Sequence, residues 1–356
     1  MTPRGRSKLL VAALRGAVLV AVFLGLTLVA CGSSDDATSR LSGDVTATPA
    51  RAATPPMAST AAPAFPVTVT HKLGTAELKA APRRVVTLSV MDLDAAVALG
   101  VTPVATTRDV YNPSGVPIWL SGRIDPGTTT LLPAGTEVPF EQIAALNPDL
   151  ILATGSFAVE QAFGTLSRIA PTIAYQTLPA GESWQERLHV IGTALGRSQQ
   201  AAQVIAETEQ TIQATKARYP ALQGKTFSLS LLYAPGQIAT IYSEKDFAVQ
   251  FFQQLGLIVA PTLATLHPFS ATNTSGAVSF EQMALLDADL LIMSYNNDEL
   301  RRSLEENPLF QSLAAVQQHR YVTVDLETVA ALRFPAALNI PWTLQQLTPA
   351  FALISP

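Results

Sequence analysis

The sequence contains one cysteine, and only 14% of its 356 residues are charged. A single cysteine excludes a framework of disulfide bonds, so the fold must be stable on its hydrophobic core. The low charge, together with 48% hydrophobic residues, excludes an intrinsically disordered chain and a fibrous repeat. A chain of this length favours two domains over one.

Long basic clusters are also missing. The first thirty residues carry four basic and no acidic side chains, namely Arg4, Arg6, Lys8 and Arg15. Of 23 basic and 27 acidic residues in the chain, 19 basic and 27 acidic remain after this segment, a net charge of −8. A body this acidic is a poor binder of nucleic acids.

Several enzyme and metal motifs are absent as well. The sequence has no phosphate-binding glycine loop and no His-Glu-x-x-His site, and the segment 181–185 lacks the last glycine of a Gly-x-Ser-x-Gly elbow. The four histidines lie at 71, 189, 267 and 319, in unrelated segments. We therefore expect neither an enzyme nor a direct metal site, although a lipid-anchored hydrolase stays open as an alternative.

Residues 1–30 are typical of a signal peptide. The apolar run Ala17–Ala30 has 14 residues, too few at 1.5 Å per residue to cross a hydrocarbon core of about 30 Å. Its end, Leu28-Val29-Ala30-Cys31, is similar to a bacterial lipobox, which predicts lipidation of Cys31. An uncleaved anchor or an incidental buried thiol is the alternative. Residues 31–63, rich in Ser, Thr, Ala and Pro, are predicted to form a flexible tether.

The body alternates strand-like and helix-like segments, which predicts α/β layers with parallel strands. We expect an N-terminal α/β lobe over 64–197, a connecting helix over 198–219 and a C-terminal α/β lobe over 220–356. Within them, Asp92 is the expected N-cap of a helix ending at Gly100, residues 307–316 are expected to form one helix, and a last helix is expected from Pro335 onward.

An internal repeat supports the two lobes. The segment 138–154 aligns without a gap to 278–294, and eight of the seventeen positions are identical, including a Phe-Glu-Gln triplet in each copy. The copies are 140 residues apart, which indicates a duplicated lobe instead of an array of short repeats.

Four segments in this order resemble the substrate-binding lipoproteins of bacterial ABC importers for iron siderophores, haem and cobalamin. They are RVVTLSVMDLDAAVALGVTPVA at 84–105, FEQIAALNPDLILA at 140–153, the connecting helix, and NPLFQSLAAVQQHRYVTVD at 307–325. The resemblance covers about residues 64–356. It implies two α/β lobes joined by one long helix, with the ligand held in the cleft between them.

The resemblance also implies a role for the repeat. In this family one surface glutamate on each lobe meets an arginine pocket of the permease dimer, and the matching positions are Glu141 and Glu281. Arginine pairs with a carboxylate through two parallel hydrogen bonds. Alternatively, both glutamates stand in the first turn of a helix, where a negative charge is favourable without any partner.

Ligands of open α/β layers bind at the carboxyl ends of strands. The loops expected there carry aromatic residues and arginines, which suit a large, oxygen-rich chelate. The candidate ligand-binding residues are Arg108, Tyr111, Phe157, Tyr175, Tyr233, Tyr242, Phe269, Tyr295 and Arg333. For each of them, a place at the edge of the hydrophobic core is the alternative.

We expect no resident cofactor, and a ligand that arrives as a preformed Fe(III)-siderophore chelate. Haem stays open as an alternative because one Tyr or His can ligate its iron, and cobalamin stays open through the resemblance. The expected partners are this chelate, an ABC permease dimer and, through the lipid on Cys31, the membrane. We expect a monomer anchored at the cell membrane, with its body in the periplasm or on the outer cell face.

Overall fold

The computed structural model describes residues 65–135, 137–268 and 274–354. The signal peptide and the tether predicted over 1–63, with the lipidation site Cys31, lie outside these residues, and so does Phe269. Among the residues described, no helix is both long enough and apolar enough to cross a membrane.

The N-lobe, residues 65–197, is built on a short hairpin and a parallel sheet. The hairpin strands are β1 (Val67–His71) and β2 (Gly74–Leu78). The sheet strands are β3 (Val85–Thr87), β4 (Ala105–Thr107), β5 (Thr130–Leu132), β6 (Leu150–Leu152) and β7 (Thr172–Ile173), in the order β5-β4-β3-β6-β7. The α-helices are α1 (Val90–Ala98), α2 (Phe140–Ala145), α3 (Val159–Ile169) and α4 (Trp184–Ala194). A 3₁₀ helix covers Ile118–Leu120.

The N-cap of α1 is Ser89, and the prediction of Asp92 at this position is wrong. The Ser89 side chain accepts a hydrogen bond from the Asp92 backbone N–H at 3.1 Å. Asp92 stands three residues later and is fully buried, with Oδ1 accepting from the Thr154 N–H and hydroxyl. A hydroxyl fits the cap because it can accept from the helix start, while the carboxylate reaches across to the loop after β6.

The helix α5 (Ser198–Arg218) follows the N-lobe. It packs on α4 at Gly192, where an added Cβ would lie 2.6 Å from the Cβ of Ala201. Only glycine allows helices to approach this closely. At its start, the Arg197 guanidinium donates to the Leu99 carbonyl at 2.6 Å, which ties this end of the helix to α1.

The C-lobe, residues 220–354, contains a six-stranded mixed sheet. Its strands are β8 (Thr226–Ala234), β9 (Gln237–Ile241), β10 (Ile258–Val259), β11 (Ser275–Val278), β12 (Leu290–Tyr295) and β13 (Tyr321–Thr323). Their order is β11-β9-β8-β12-β13, with β10 paired to the start of β8. The parallel strands predicted from the sequence are present here, but β9 pairs antiparallel with β8 and β11. Only two residues separate β8 from β9, whereas a parallel connection needs a long crossover.

Helices cover the C-lobe sheet. They are α6 (Phe247–Gln254), α7 (Asp298–Glu305), α8 (Pro308–Gln311), α9 (Ala314–Gln317), α10 (Leu326–Arg333) and α11 (Asn339–Ala352). Shorter 3₁₀ helices cover Pro220–Leu222, Pro261–Thr265 and Phe280–Leu286.

Two helix predictions in this lobe are wrong. The single helix expected over 307–316 is divided, because Leu313 is extended (φ −62°, ψ 137°) and the Asp287 carboxylate accepts hydrogen bonds from the N–H groups of Ala314 and Ala315. The last helix begins at Asn339, whose side chain is engaged with the backbone of Ala336 and Phe334. Residues 334–338, which connect α10 to this helix, are not helical.

The repeat seen in the sequence has the same surroundings in both lobes. In the first copy, β6 pairs with β3 in parallel, and the Asp149 carboxylate accepts from the N–H groups of Arg83 and Arg84 at 2.7 and 2.8 Å. In the second, β12 pairs with β8 in parallel, and Asp289 accepts from the N–H of Thr226 at 3.0 Å. Each duplicated aspartate therefore fixes the start of the central strand of its own lobe.

Candidate ligand-binding cleft

A cavity of about 170 Å³ lies between the lobes, at the carboxyl ends of the N-lobe strands. The N-lobe contributes the start of α1, the loop after β4 and the loop after β6, and the C-lobe contributes α10 and the start of α11. The lining residues that carry aromatic or polar groups are Arg108, Asp109, Tyr111, Trp119, Phe157, Phe334 and Asn339.

A second cavity of about 420 Å³ lies at the carboxyl ends of the C-lobe strands β12 and β13. Tyr111 lines both cavities, so they adjoin at this side chain. The other polar lining residues of the second cavity are Tyr295, Asp298, Arg301, Thr323, Asp325 and Glu327. The two cavities together form the candidate cleft.

Arg108 is held at the wall by the loop that follows β4. The loop is closed by the Asp109 N–H donating to the Gly115 carbonyl at 2.8 Å, and the Asp109 carboxylate accepts from the Asn112 N–H at 2.9 Å. Gly115 has φ +80°, and an added Cβ would collide with the Arg108 guanidinium. Glycine is thus required for both the backbone conformation and the space that this guanidinium occupies.

Phe157 belongs to the loop after β6, which Asp92 fixes through Thr154 at hydrogen-bond distances of 3.1 and 2.6 Å. The Phe157 side chain is 52% exposed, unusual for so large an apolar group. An exposed ring at the edge of a cavity gives a ligand an apolar face to contact.

Tyr295 contributes its ring to the second cavity, while its hydroxyl is engaged in a chain of hydrogen bonds. The Tyr295 and Tyr321 hydroxyls are 2.7 Å apart, and the Tyr321 hydroxyl donates to the Glu305 carboxylate at 2.8 Å. Glu305 also pairs with Arg301, whose Nε lies 2.9 Å from Oε1. Burial raises the pKa of both tyrosine hydroxyls, which keeps them protonated.

Four other sequence candidates, all among the described residues, lie apart from the lining of these cavities. Tyr175 is buried in the N-lobe core, and Tyr233 and Tyr242 are partly buried and pack against the hydrophobic clusters of the chain. Arg333 is buried and forms an ion pair with Asp246, with 3.1 Å between Nη2 and Oδ2. The structure thus brings together Arg108, Tyr111, Phe157 and Tyr295, and ligand contact by the nine candidate residues stays a prediction.

The ion pair of Arg333 leads to a stability prediction. Asp246→Ala should lower the free energy of unfolding by about 3 kcal/mol, because it removes the carboxylate partner of a buried guanidinium. It also removes the N-cap of α6, since Asp246 Oδ1 accepts from the Ala248 N–H. Urea unfolding measures the loss. Asp246→Asn keeps the N-cap and should lose less unfolding free energy than Asp246→Ala. Equal stability of Asp246→Ala and wild type would contradict the prediction.

Hydrogen bonds join the lobes beside the cleft. The Asp94 carboxylate of α1 accepts from the Leu338 N–H of the C-lobe and from Trp119 Nε1, both at 3.0 Å. The Glu327 carboxylate of α10 accepts from the Ile118 N–H of the N-lobe at 2.7 Å. Burial raises the pKa of Asp94 to about 7. Burial, with the charges of Asp109 and Asp325, raises the pKa of Glu327 to about 7 as well.

Several residues that line the cleft are not among the candidates predicted from the sequence. Asp298, Asp325 and Glu327 lie two to four residues after the ends of β12 and β13, so the rule that ligands bind at strand ends could have found them. Trp119 carried no such signal, because it lies in a 3₁₀ helix between two strands. Its ring centroid lies 5.3 Å from that of Trp342 on α11.

Comparison with known proteins decides the family. A family model described as a periplasmic binding protein matches residues 85–328. The chain belongs to the periplasmic binding protein family. The family resemblance predicted from the sequence, to the substrate-binding proteins of iron-siderophore importers, is confirmed.

Individual members of the periplasmic binding protein family are distant in sequence. The Fe(3+)-citrate-binding protein YfmC of Bacillus subtilis (strain 168) is 26% identical over 262 residues, 73% of this chain and 78% of that protein. The Fe(3+) dicitrate-binding periplasmic protein FecB of Escherichia coli (strain K12) is 25% identical over 276 residues, 76% of this chain and 86% of that protein. A periplasmic solute binding protein from Mycobacterium smegmatis str. MC2 155 has a crystal structure that is 28% identical, with a TM-score of 0.70, covering 81% of this chain and 98% of that one.

Proposed function

We propose that this periplasmic binding protein is the substrate-binding lipoprotein of an ABC importer and captures a ferric siderophore between its lobes. The observation that carries the proposal is the cleft, where strand ends of both lobes supply the walls. The lipid on Cys31 and the tether over 31–63 would keep this body near its permease, in the periplasm or on the outer cell face.

The chemistry of the cleft supports a chelate as the cargo. Phe157 and Tyr295 supply apolar faces, Arg108 supplies a planar donor fork, and the buried Tyr111 hydroxyl has no hydrogen-bond partner among the described residues. Such a set suits an organic shell that carries many oxygen atoms. Two relatives, YfmC and FecB, are named for binding ferric citrate, which supports iron as the cargo. The reaction is binding and release, with no bond made or broken.

Glu141 and Glu281 are proposed to deliver the loaded protein to the permease dimer. Both side chains are exposed, and each stands in the first turn of the helix of its repeat copy. A hydrogen bond from the Ser279 side chain lowers the pKa of Glu281, which keeps it charged. Two equivalent carboxylates on two equivalent lobes fit a partner made of two equal subunits.

Tryptophan fluorescence of the purified full chain tests the proposal. Because Trp119 lines the cleft and lies against Trp342, a ferric chelate should quench emission saturably, with one chelate per chain. The titration includes ferric hydroxamates, catecholates, ferric citrate, haem and cobalamin, and each iron-free chelator is the matched control. Quenching by haem or cobalamin alone would show that this compound, and not a siderophore, is the cargo. If no compound changed the fluorescence, the proposal would be overturned.

A further inference from the structure

The ionisable groups that line the cleft are mostly acidic. Two arginines, Arg108 and Arg301, face four carboxyl groups, which belong to Asp109, Asp298, Asp325 and Glu327. All of these residues are described by the structure. The lining therefore carries a charge of −2 when all six groups are ionised.

Two of the arginines at or behind the cleft wall are already paired with carboxylates of the protein. The Arg301 guanidinium is paired with Glu305 at 2.9 Å, and Glu305 does not line the cleft. Arg333, behind the wall, is paired with Asp246 at 3.1 Å. Arg108 forms no ion pair within the described part of the chain and is the cation left to meet a ligand.

The carboxyl groups of the second cavity are differently placed. Asp298 and Asp325 are exposed, and Asp325 caps α10 by accepting from the Thr328 N–H at 2.7 Å. Glu327 is half-buried and holds the Ile118 N–H. An anionic chelate brought into this cavity would lose hydration while facing like charges, whereas a cationic group would be attracted.

We propose that the cleft selects a cationic ferric siderophore, with a protonated amine in the second cavity against Asp298 and Asp325 and its iron-bound oxygens beside Arg108 and Tyr111. This inference rests on the proposed function, because it specifies the chelate that the same cleft takes. It separates this chain from YfmC and FecB, which are named for ferric citrate. The two exposed carboxylates act as the determinants of specificity, since charge complementarity at a site discriminates between ligands.

The test compares three iron chelates on the full chain at pH 7.5: ferrioxamine B, which is cationic, ferrichrome, which is neutral, and ferric dicitrate, which is anionic. Ferrioxamine B should bind tightest and ferric dicitrate weakest, and added salt should reduce the difference. The double variant Asp298→Asn/Asp325→Asn should weaken ferrioxamine B by about 5- to 30-fold and leave ferrichrome within about twofold. Asparagine at 325 retains the helix cap.

The matched control is Glu299→Gln/Glu306→Gln, which removes two exposed carboxylates at α7 from outside the cavity lining. It should leave all three affinities unchanged. Tightest binding of ferric dicitrate, or an equal loss of ferrioxamine B affinity in both double variants, would overturn this inference while the proposed function stands. Absence of binding by all three chelates and by the other ligands of the fluorescence titration would overturn the proposed function itself.

Discussion

Charge reversal of both repeat glutamates, Glu141→Lys/Glu281→Lys, is expected to reduce iron-chelate transport at least about a hundredfold while chelate affinity stays within about twofold. The two carboxylates are exposed and lie apart from the cavity lining, so the binding site should be unaffected. A lysine in the first turn of a helix costs only about 0.3–1 kcal/mol, too little to unfold the protein. Uptake of radioactive iron in cells that depend on this importer measures transport, and fluorescence titration measures affinity.

A matched control separates docking from general surface charge. Glu77→Lys/Glu244→Lys makes the same change of charge, with one exposed position on each lobe, outside the repeat. This control should transport at the wild-type rate. Unchanged transport by Glu141→Lys/Glu281→Lys would mean that both glutamates only stabilise the starts of their helices. Equal losses of transport in the two double variants would mean that net charge, and not docking, causes the effect.

Removal of the buried Asp94 carboxyl is expected to change how stability depends on pH. Because its pKa in the folded protein is raised to about 7 from 3.8, the folded state binds the proton more tightly than the unfolded state. The protonated Asp94 carboxyl therefore makes its full contribution to the free energy of unfolding below about pH 4, and this contribution is lost as the pH rises through about 7. Asp94→Asn has no carboxyl to titrate and does not lose this contribution. Its free energy of unfolding relative to wild type should therefore rise by about 4 kcal/mol between pH 4 and pH 8, since each unit of pKa shift corresponds to about 1.36 kcal/mol.

Urea unfolding at a series of pH values measures this difference. Asp94→Ala removes the same titration and, in addition, both acceptors for the Leu338 N–H and Trp119 Nε1. It should show the same change with pH at a lower absolute stability, by about 2–4 kcal/mol for two buried donors left without partners. A constant difference between Asp94→Asn and wild type at every pH would contradict the raised pKa.

The fold could be predicted wherever the sequence repeats a complete local pattern. The two copies of the repeat end in buried strands, and the helix expected over 198–219 lies at Ser198–Arg218. The antiparallel hairpin β8–β9 was missed because apolar runs alone do not specify strand direction. The helix break at Leu313 was missed because the Asp287 carboxylate that caps the next helix comes from another segment.

For the candidate site, the sequence indicates the loops but not the internal partners of the side chains on them. The expectation that ligands bind at strand ends pointed to the loops that carry Arg108, Tyr111, Phe157 and Tyr295, and the structure brings these residues into two adjoining cavities. The rule gives no side-chain direction, so it also selected Tyr175, which is in the core, and Arg333, which is paired with Asp246. Such internal partners come from distant segments and cannot be seen in a single strand-end loop.

The central claim is that the cleft between the lobes holds a ferric chelate. The most direct test is a crystal structure of the chelate-loaded protein, measured at the iron absorption edge. The anomalous signal should show one iron per chain, between the lobes and bounded by Arg108, Phe157 and Tyr295. An iron peak on the outer surface of either lobe, or no peak in a chain that binds the chelate with one-to-one stoichiometry, would contradict it.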